Sequence, residues 1–114
     1  MVPSTAEFAQ MRRGSVEFCV LALLRNREMY GVEISDSLMS VGAVFDRPGT
    51  LYPLLARLQR ERLVTSELRP SSKGAARRYY KITQDGLISL QAFVARWRLF
   101  RDAIDSVLGE ETDE

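Results

Sequence analysis

Arg47-Pro48-Gly49-Thr50-Leu51-Tyr52-Pro53-Leu54-Leu55-Ala56-Arg57-Leu58-Gln59-Arg60 is the stretch that decides the fold. Proline and glycine make residues 47–50 a turn. Thr50 can then cap a helix, and Pro53 falls in its first turn, where a missing N–H costs no hydrogen bond. Leu51, Leu54, Leu55 and Leu58 recur at i, i+3, i+4 and i+7, so they share one face and must point inward. Thr50, Tyr52, Arg57 and Arg60 are left on or near the other face. A short helix that is apolar inside and cationic outside is the kind that can be offered to a nucleic acid.

Working outward toward the C-terminus, residues 63–69 read as a strand with partial alternation. Residues 70–76, rich in Pro, Ser and Gly, read as a turn. Residues 77–83, with adjacent tyrosines and a β-branched end, read as a second strand. Two strands joined by a basic loop directly after a cationic helix make a wing.

Toward the N-terminus, Ile34 and Leu38 mark a helix of about ten residues after Tyr30-Gly31, ended near Gly42. Before it, Val16, Cys19, Val20, Leu23 and Leu24 form the apolar stripe of a helix over 15–26. Ser4 and Glu7 have capping-box spacing, which predicts a short helix over 5–13 with Phe8 and Met11 on one side. Three short helices with brief connections followed by the wing give a mainly α fold with a small two-stranded β-wing, a winged helix-turn-helix.

Thr83 can cap a last helix, with Asp85 well placed in its first turn. Along it Leu87, Leu90, Val94, Trp97, Arg101, Ile104 and Leu108 step by three and four, beside a row of Phe93, Phe100 and Val107. So much apolar surface exceeds what a small three-helix core can cover, and the spacing is that of a helix seam. A second chain is expected there. The chain thus divides into an N-terminal helix or arm (1–14), the winged helix-turn-helix (15–83), a C-terminal dimerisation helix (84–108) and an acidic tail (109–114).

Length and composition narrow the function. At 114 residues and 46% hydrophobic, the chain fits one packed domain and one extra helix. The single cysteine, Cys19, excludes an internal disulfide and a cysteine-built zinc site, and suits a reducing cytoplasm. The chain contains no histidine, which removes Ser-His-Asp and Cys-His catalysis, so no enzyme, cofactor or metal is expected. The apolar run Phe18 to Leu24 is too short to span a bilayer, so no membrane partner is expected. Net charge is only +1, but it is unevenly placed. From Arg47 to Lys81 nine basic residues meet two acidic ones, and from Asp102 onward six acids meet no base. The middle of the chain is therefore where phosphate would be drawn.

Leu21-Ala22-Leu23-Leu24, Met29-Tyr30-Gly31-Val32-Glu33-Ile34, Pro48 through Leu58 as quoted above, and Arg77-Arg78-Tyr79-Tyr80-Lys81-Ile82-Thr83, together with Gly86 and Trp97, resemble the PadR family of transcriptional regulators. The likeness is to its short subfamily with a single C-terminal helix, and it covers most of the chain from Ser15 onward. In the last segment Arg78 stands for the family's Lys and Ile82 for its Leu. The resemblance implies a homodimeric repressor on a palindromic double-stranded DNA operator, clasped through its terminal helices and relieved by a small aromatic effector. Proteins that look like this respond to phenolic acids, to planar cationic drugs or to ligands not yet identified. Arg101, in the seam, departs from the pattern and would reshape a ligand pore or pair with an acid such as Asp105.

The residues themselves point to two sites. For DNA, Thr50 and Tyr52 stand at the start of the third helix, with Arg57 nearby, Tyr30 as a phosphate clamp, and Lys73, Arg77 and Arg78 in the wing. The plainer readings are that Thr50 only caps, Tyr52 is partly core and the wing cations are only solvated. For the dimer or a ligand the candidates are Phe8, Met11, Leu90, Phe93, Val94, Trp97, Arg101 and Ile104, with Trp97 able either to fill the interface or to stack on a planar guest. Two other functions fit the same residues: a sensor whose pore is the main working surface, and a winged-helix module for protein assembly.

Overall fold

The computed structural model describes residues 9–42, 45 and 47–109. Ser4, Glu7 and Phe8 lie outside the described residues, as does the acidic tail beyond Gly109. The elements run α1 (Ala9–Arg12), α2 (Val16–Leu23), β1 (Met29–Tyr30), α3 (Gly31–Val41), a 3-10 turn (Pro48–Thr50), α4 (Leu51–Arg60), β2 (Val64–Ser71), β3 (Gly74–Ile82) and α5 (Gln84–Leu108).

The leucine stripe of the third helix behaves as its spacing requires. Leu51, Leu55 and Leu58 are fully buried, and Leu54 packs beside them. They meet Val20, Leu21 and Leu24 from the α2 segment and Ile34 and Leu38 from α3, while Val64, Tyr80 and Leu90 close the core from the sheet and α5. Phe45, which no periodicity marks, is also buried.

The wing differs from its expectation in two ways. It has three strands, in the order β1-β3-β2, because Met29 and Tyr30 pair with Tyr80 and Tyr79. A two-residue strand is too short to show alternation in sequence. The turn is also tighter than 70–76: β2 and β3 stay paired out to Ser71↔Gly74, so Ser72-Lys73 forms the tip. Pro70 sits within β2, at an irregularity between Arg69 and Ser71. It is tolerated because β2 is an edge strand, where a missing N–H need not break the ladder.

α4 ends in a Schellman motif. The Arg62 N–H donates to the Gln59 carbonyl at 3.0 Å and the Leu63 N–H to the Leu58 carbonyl at 2.9 Å, with Arg62 at φ 63°. That left-handed conformation is one glycine adopts without strain and arginine does not. Arg62→Gly is therefore expected to stabilise the fold by about 0.5–1 kcal/mol, read as a higher denaturant midpoint at unchanged slope. A lower midpoint would show that the Arg62 side chain contributes more than its backbone costs.

The two peptide units that follow α4 anchor α5. The Arg62 carbonyl accepts from the Thr83 hydroxyl at 2.8 Å and the Leu63 carbonyl from the Thr83 N–H at 3.1 Å. Thr83 also caps α5, its Oγ1 accepting from the Gly86 N–H at 2.9 Å. α5 then leaves the domain. Leu90, expected on the seam between chains, is instead 2% exposed and belongs to its own chain's core. Phe93 stacks flat on Phe18 of α2 at 4.1 Å between ring centres. Past that point Leu99, Phe100, Val107 and Leu108 are each at least 60% exposed. Among the described residues no helix is long and apolar enough to cross a membrane.

Candidate nucleic-acid interface

With its leucines inward, α4 turns Tyr52, Ala56, Gln59 and Arg60 outward at i, i+4, i+7 and i+8, all exposed. Thr50 is exposed at the head of this stripe, but it does not cap as expected. Its φ and ψ are −87° and −8°, and its hydroxyl donates to the Arg47 carbonyl at 2.8 Å. The 3-10 turn places Thr50 already in helical backbone, so its side chain points back along the turn and cannot reach forward to the α4 amides.

Tyr52 is 52% exposed, yet its ring is not loose. It lies over the backbone of Gly31, where an added Cβ would meet ring carbons at 2.7 Å. Glycine at the start of α3 thus lets the first turn of α4 close on it, which sets the crossing of these two helices. Tyr52 is thus partly core, as its plainer reading has it, with about half of the residue left exposed.

Arg57 is directed elsewhere. It pairs with Glu17 of α2 at 2.6 Å and with Glu61 at 3.5 Å. Its hydrogen bond to Glu17 holds the guanidinium above its ordinary pKa. Arg57 ties α4 to α2 and is not in the outward stripe.

The wing has two faces, and its two adjacent arginines divide between them. Arg78 shares a face with Ser66 and Tyr80, on the α4 side. Its guanidinium donates to the Ser66 Oγ at 3.0 Å, and that hydroxyl donates to the Gln59 Oε1 of α4 at 2.8 Å. Helix and wing are joined into one surface by this chain. Tyr80 beneath it is buried, and burial pushes its phenol up in pKa while Arg78 pulls it down. Arg77 lies on the opposite face, with its guanidinium carbon 4.4 Å from the centre of the Tyr30 ring. Tyr30 is the N-cap residue of α3, and its N–H donates to the Glu33 carboxylate at 3.0 Å. Lys73 is exposed at the tip. Among the described residues neither Arg60, Lys73 nor Arg78 is in an ion pair.

At the far end, Met11, Trp97, Phe100 and Ile104, together with Arg13, Arg101 and Asp105, line an open groove of about 560 Å³. Arg101 pairs with Asp102 at 3.1 Å, not with Asp105. A second groove of about 330 Å³ lies between α2 and α5 and is lined by Phe18, Cys19, Phe93, Val94 and Trp97. Burial raises the pKa of the Cys19 thiol, as expected of a small packed hydrophobe. Among the described residues no cluster of His, Cys, Asp or Glu could hold a metal ion.

Gln59 and Ser66, which join helix and wing, and Arg69 and Glu28, which pair at 2.7 Å on the other face of the wing, were not singled out from the sequence. Arg69 could have been. Once the hairpin tip is set at Ser72-Lys73, Arg69 falls opposite Arg77.

Comparison with known proteins agrees with this architecture. The transcriptional regulator PadR-like family profile matches residues 20–92. A transcriptional regulator of Mycobacterium tuberculosis is 35% identical over 81 residues, 71% of this chain and 74% of that protein. The crystal structure of a PadR-like transcriptional regulator from Bacillus cereus superimposes with a TM-score of 0.79 at 38% identity, covering 90% of this chain and 99% of that one. Bacillus subtilis PadR in complex with operator DNA shares the fold, with a TM-score of 0.66 at 22% identity over 71% of this chain and 47% of that one.

Proposed function

Because the chain belongs to the PadR-like family of transcriptional regulators, we propose that it acts as a homodimeric repressor that reads a palindromic operator with α4 and grips the flanking phosphates with its wing. The observation that carries this reading is the continuous surface made by the outward stripe of α4 and the α4-side face of the wing, joined through Gln59, Ser66 and Arg78. Tyr52, Gln59 and Arg60 would meet the major groove, the groove with a unique donor and acceptor code. Thr50 would stand at the phosphate rim, and Lys73 and Arg78 would neutralise phosphates. That Bacillus subtilis PadR is seen with operator DNA on the same fold supports the assignment. Arg57, already paired with two carboxylates, has no part in it.

Two copies would join through the exposed half of α5, placing their α4 helices about 34–36 Å apart, one turn of duplex. The groove beside Trp97, closed by the second copy, would take a planar aromatic effector whose binding alters that separation. Quenching of the chain's single tryptophan by such compounds tests the effector.

The DNA reading is tested by salt. Each neutralised phosphate contributes about −0.9 to the slope of log K against log salt concentration. Lys73→Ala removes two such contacts per dimer, so its slope should be shallower by about 1.8, and Arg78→Ala should behave alike. Unchanged slopes and affinities in both variants would mean that the wing does not touch DNA, and would favour a protein partner for this surface.

A further inference from the structure

Arg69 and Arg77 face each other across β2 and β3. Like charges directly opposite in a sheet destabilise it unless each is held elsewhere. Here each is. Arg77 lies over the Tyr30 ring at 4.4 Å, the Tyr30 ring packs against Tyr79 at 5.4 Å and 60°, and Arg69 covers Tyr79 at 4.7 Å. Arg69 is itself held by Glu28 at 2.7 Å and Glu67 at 3.2 Å. Cation, ring, ring and cation form one row across all three strands, on the sheet face turned away from α4. Tyr30, one of its two middle members, is fixed to the start of α3 through the bond from its N–H to Glu33, which Arg27 also meets at 3.5 Å.

We propose that this row is a positioning device: it locks the wing at one angle to α3, so that Tyr30 and Arg77 govern DNA affinity through wing orientation and neither touches phosphate. The inference rests on the DNA reading of α4 and the wing. Without the row, the hairpin beyond β1 keeps only its own two-strand ladder and, on the other face, the Arg78–Ser66–Gln59 chain to α4, and two-strand ribbons are marginal alone. Where Tyr30 alone is replaced, the opposing arginines would also push its strands apart. A π-face is what Tyr30 contributes, and its hydroxyl is dispensable.

The test compares Tyr30→Phe, Tyr30→Leu, Arg77→Gln and the double variant Y30L/R77Q. Each is titrated over a range of salt against a duplex that the unaltered protein has selected from a random library. Hydrogen exchange of the residue 71–76 amides is measured without DNA. Tyr30→Phe should match the unaltered protein in both measurements. Tyr30→Leu and Arg77→Gln should each weaken binding about fourfold at unchanged salt slope, and both should speed exchange at the hairpin tip. The double variant should be no weaker than the weaker single one, since either change breaks the same row. A slope shallower by about 1.8 in Arg77→Gln would make it a phosphate contact and overturn the proposal. So would a Tyr30→Phe variant as weak as Tyr30→Leu, which would make the hydroxyl the contact. A protein that binds no duplex overturns the DNA reading instead. Exchange then still decides the row, and unchanged tip rates in Tyr30→Leu and Arg77→Gln would overturn it.

Discussion

Replacing Phe100 and Ile104 together by aspartate is expected to leave a folded monomer whose affinity for a two-half-site operator is lower by about a hundredfold or more. Phe100 is 60% and Ile104 42% exposed in the single chain, so neither change removes much from its own core. The monomer should melt within a few degrees of the unaltered protein's domain. In the proposed dimer each side chain would be covered, and full burial of such a side chain contributes about 1.5–3 kcal/mol. With two positions in each of two copies, and four carboxylates buried in their place, most of the roughly 8 kcal/mol that holds a micromolar dimer is lost. DNA binding falls with it because the second half-site is then no longer held near the first. Sedimentation at micromolar concentration checks the assembly, and titration against the selected duplex checks the affinity. If the variant still sediments as a dimer, α5 is not the clasp.

Gly86→Ala is expected to cost about 2–3 kcal/mol of stability, lowering Tm by about 10 °C or more. An added Cβ would collide with the Leu63 carbonyl and approach Ile82 Cγ1 to 2.8 Å. The carbonyl cannot yield without breaking its bond from the Thr83 N–H, the bond that starts α5. Gly49→Ala is the matched control, for a Cβ there meets open space. Equal thermal melts of the two variants would show that the junction accommodates the extra atom.

The fold was readable because its helices declare themselves by period. Leu51, Leu55 and Leu58 are buried where their spacing puts them, and the Thr83 cap and the helix that follows it are where the polar-to-periodic boundary lies. The wing was harder to read. Pro70 inside an edge strand and a two-residue turn carry the signature of a longer loop, and only pairing reveals the register that sets Arg69 against Arg77. The candidate site was half legible. Residue type nominated Thr50, Tyr52 and the cations, but type does not say which way a side chain turns. Arg57 answers to Glu17, forty residues away, and no local pattern contains that contact. Leu90 fits a seam by spacing and a core by depth, and depth is a tertiary property.

The junction at Arg62, Leu63, Thr83 and Gly86 has a mechanical consequence. α5 meets the end of α4 through two short hydrogen bonds and a backbone contact with no room for a methyl group, so there is no slack at the pivot. At 25 residues α5 is a lever about 37 Å long. In the proposed dimer a tilt of about 5° at its far end would carry the reading head by about 3 Å, roughly one base-pair step. A guest wedged beside Trp97 would need to make no contact with DNA to spoil the match between protein and duplex.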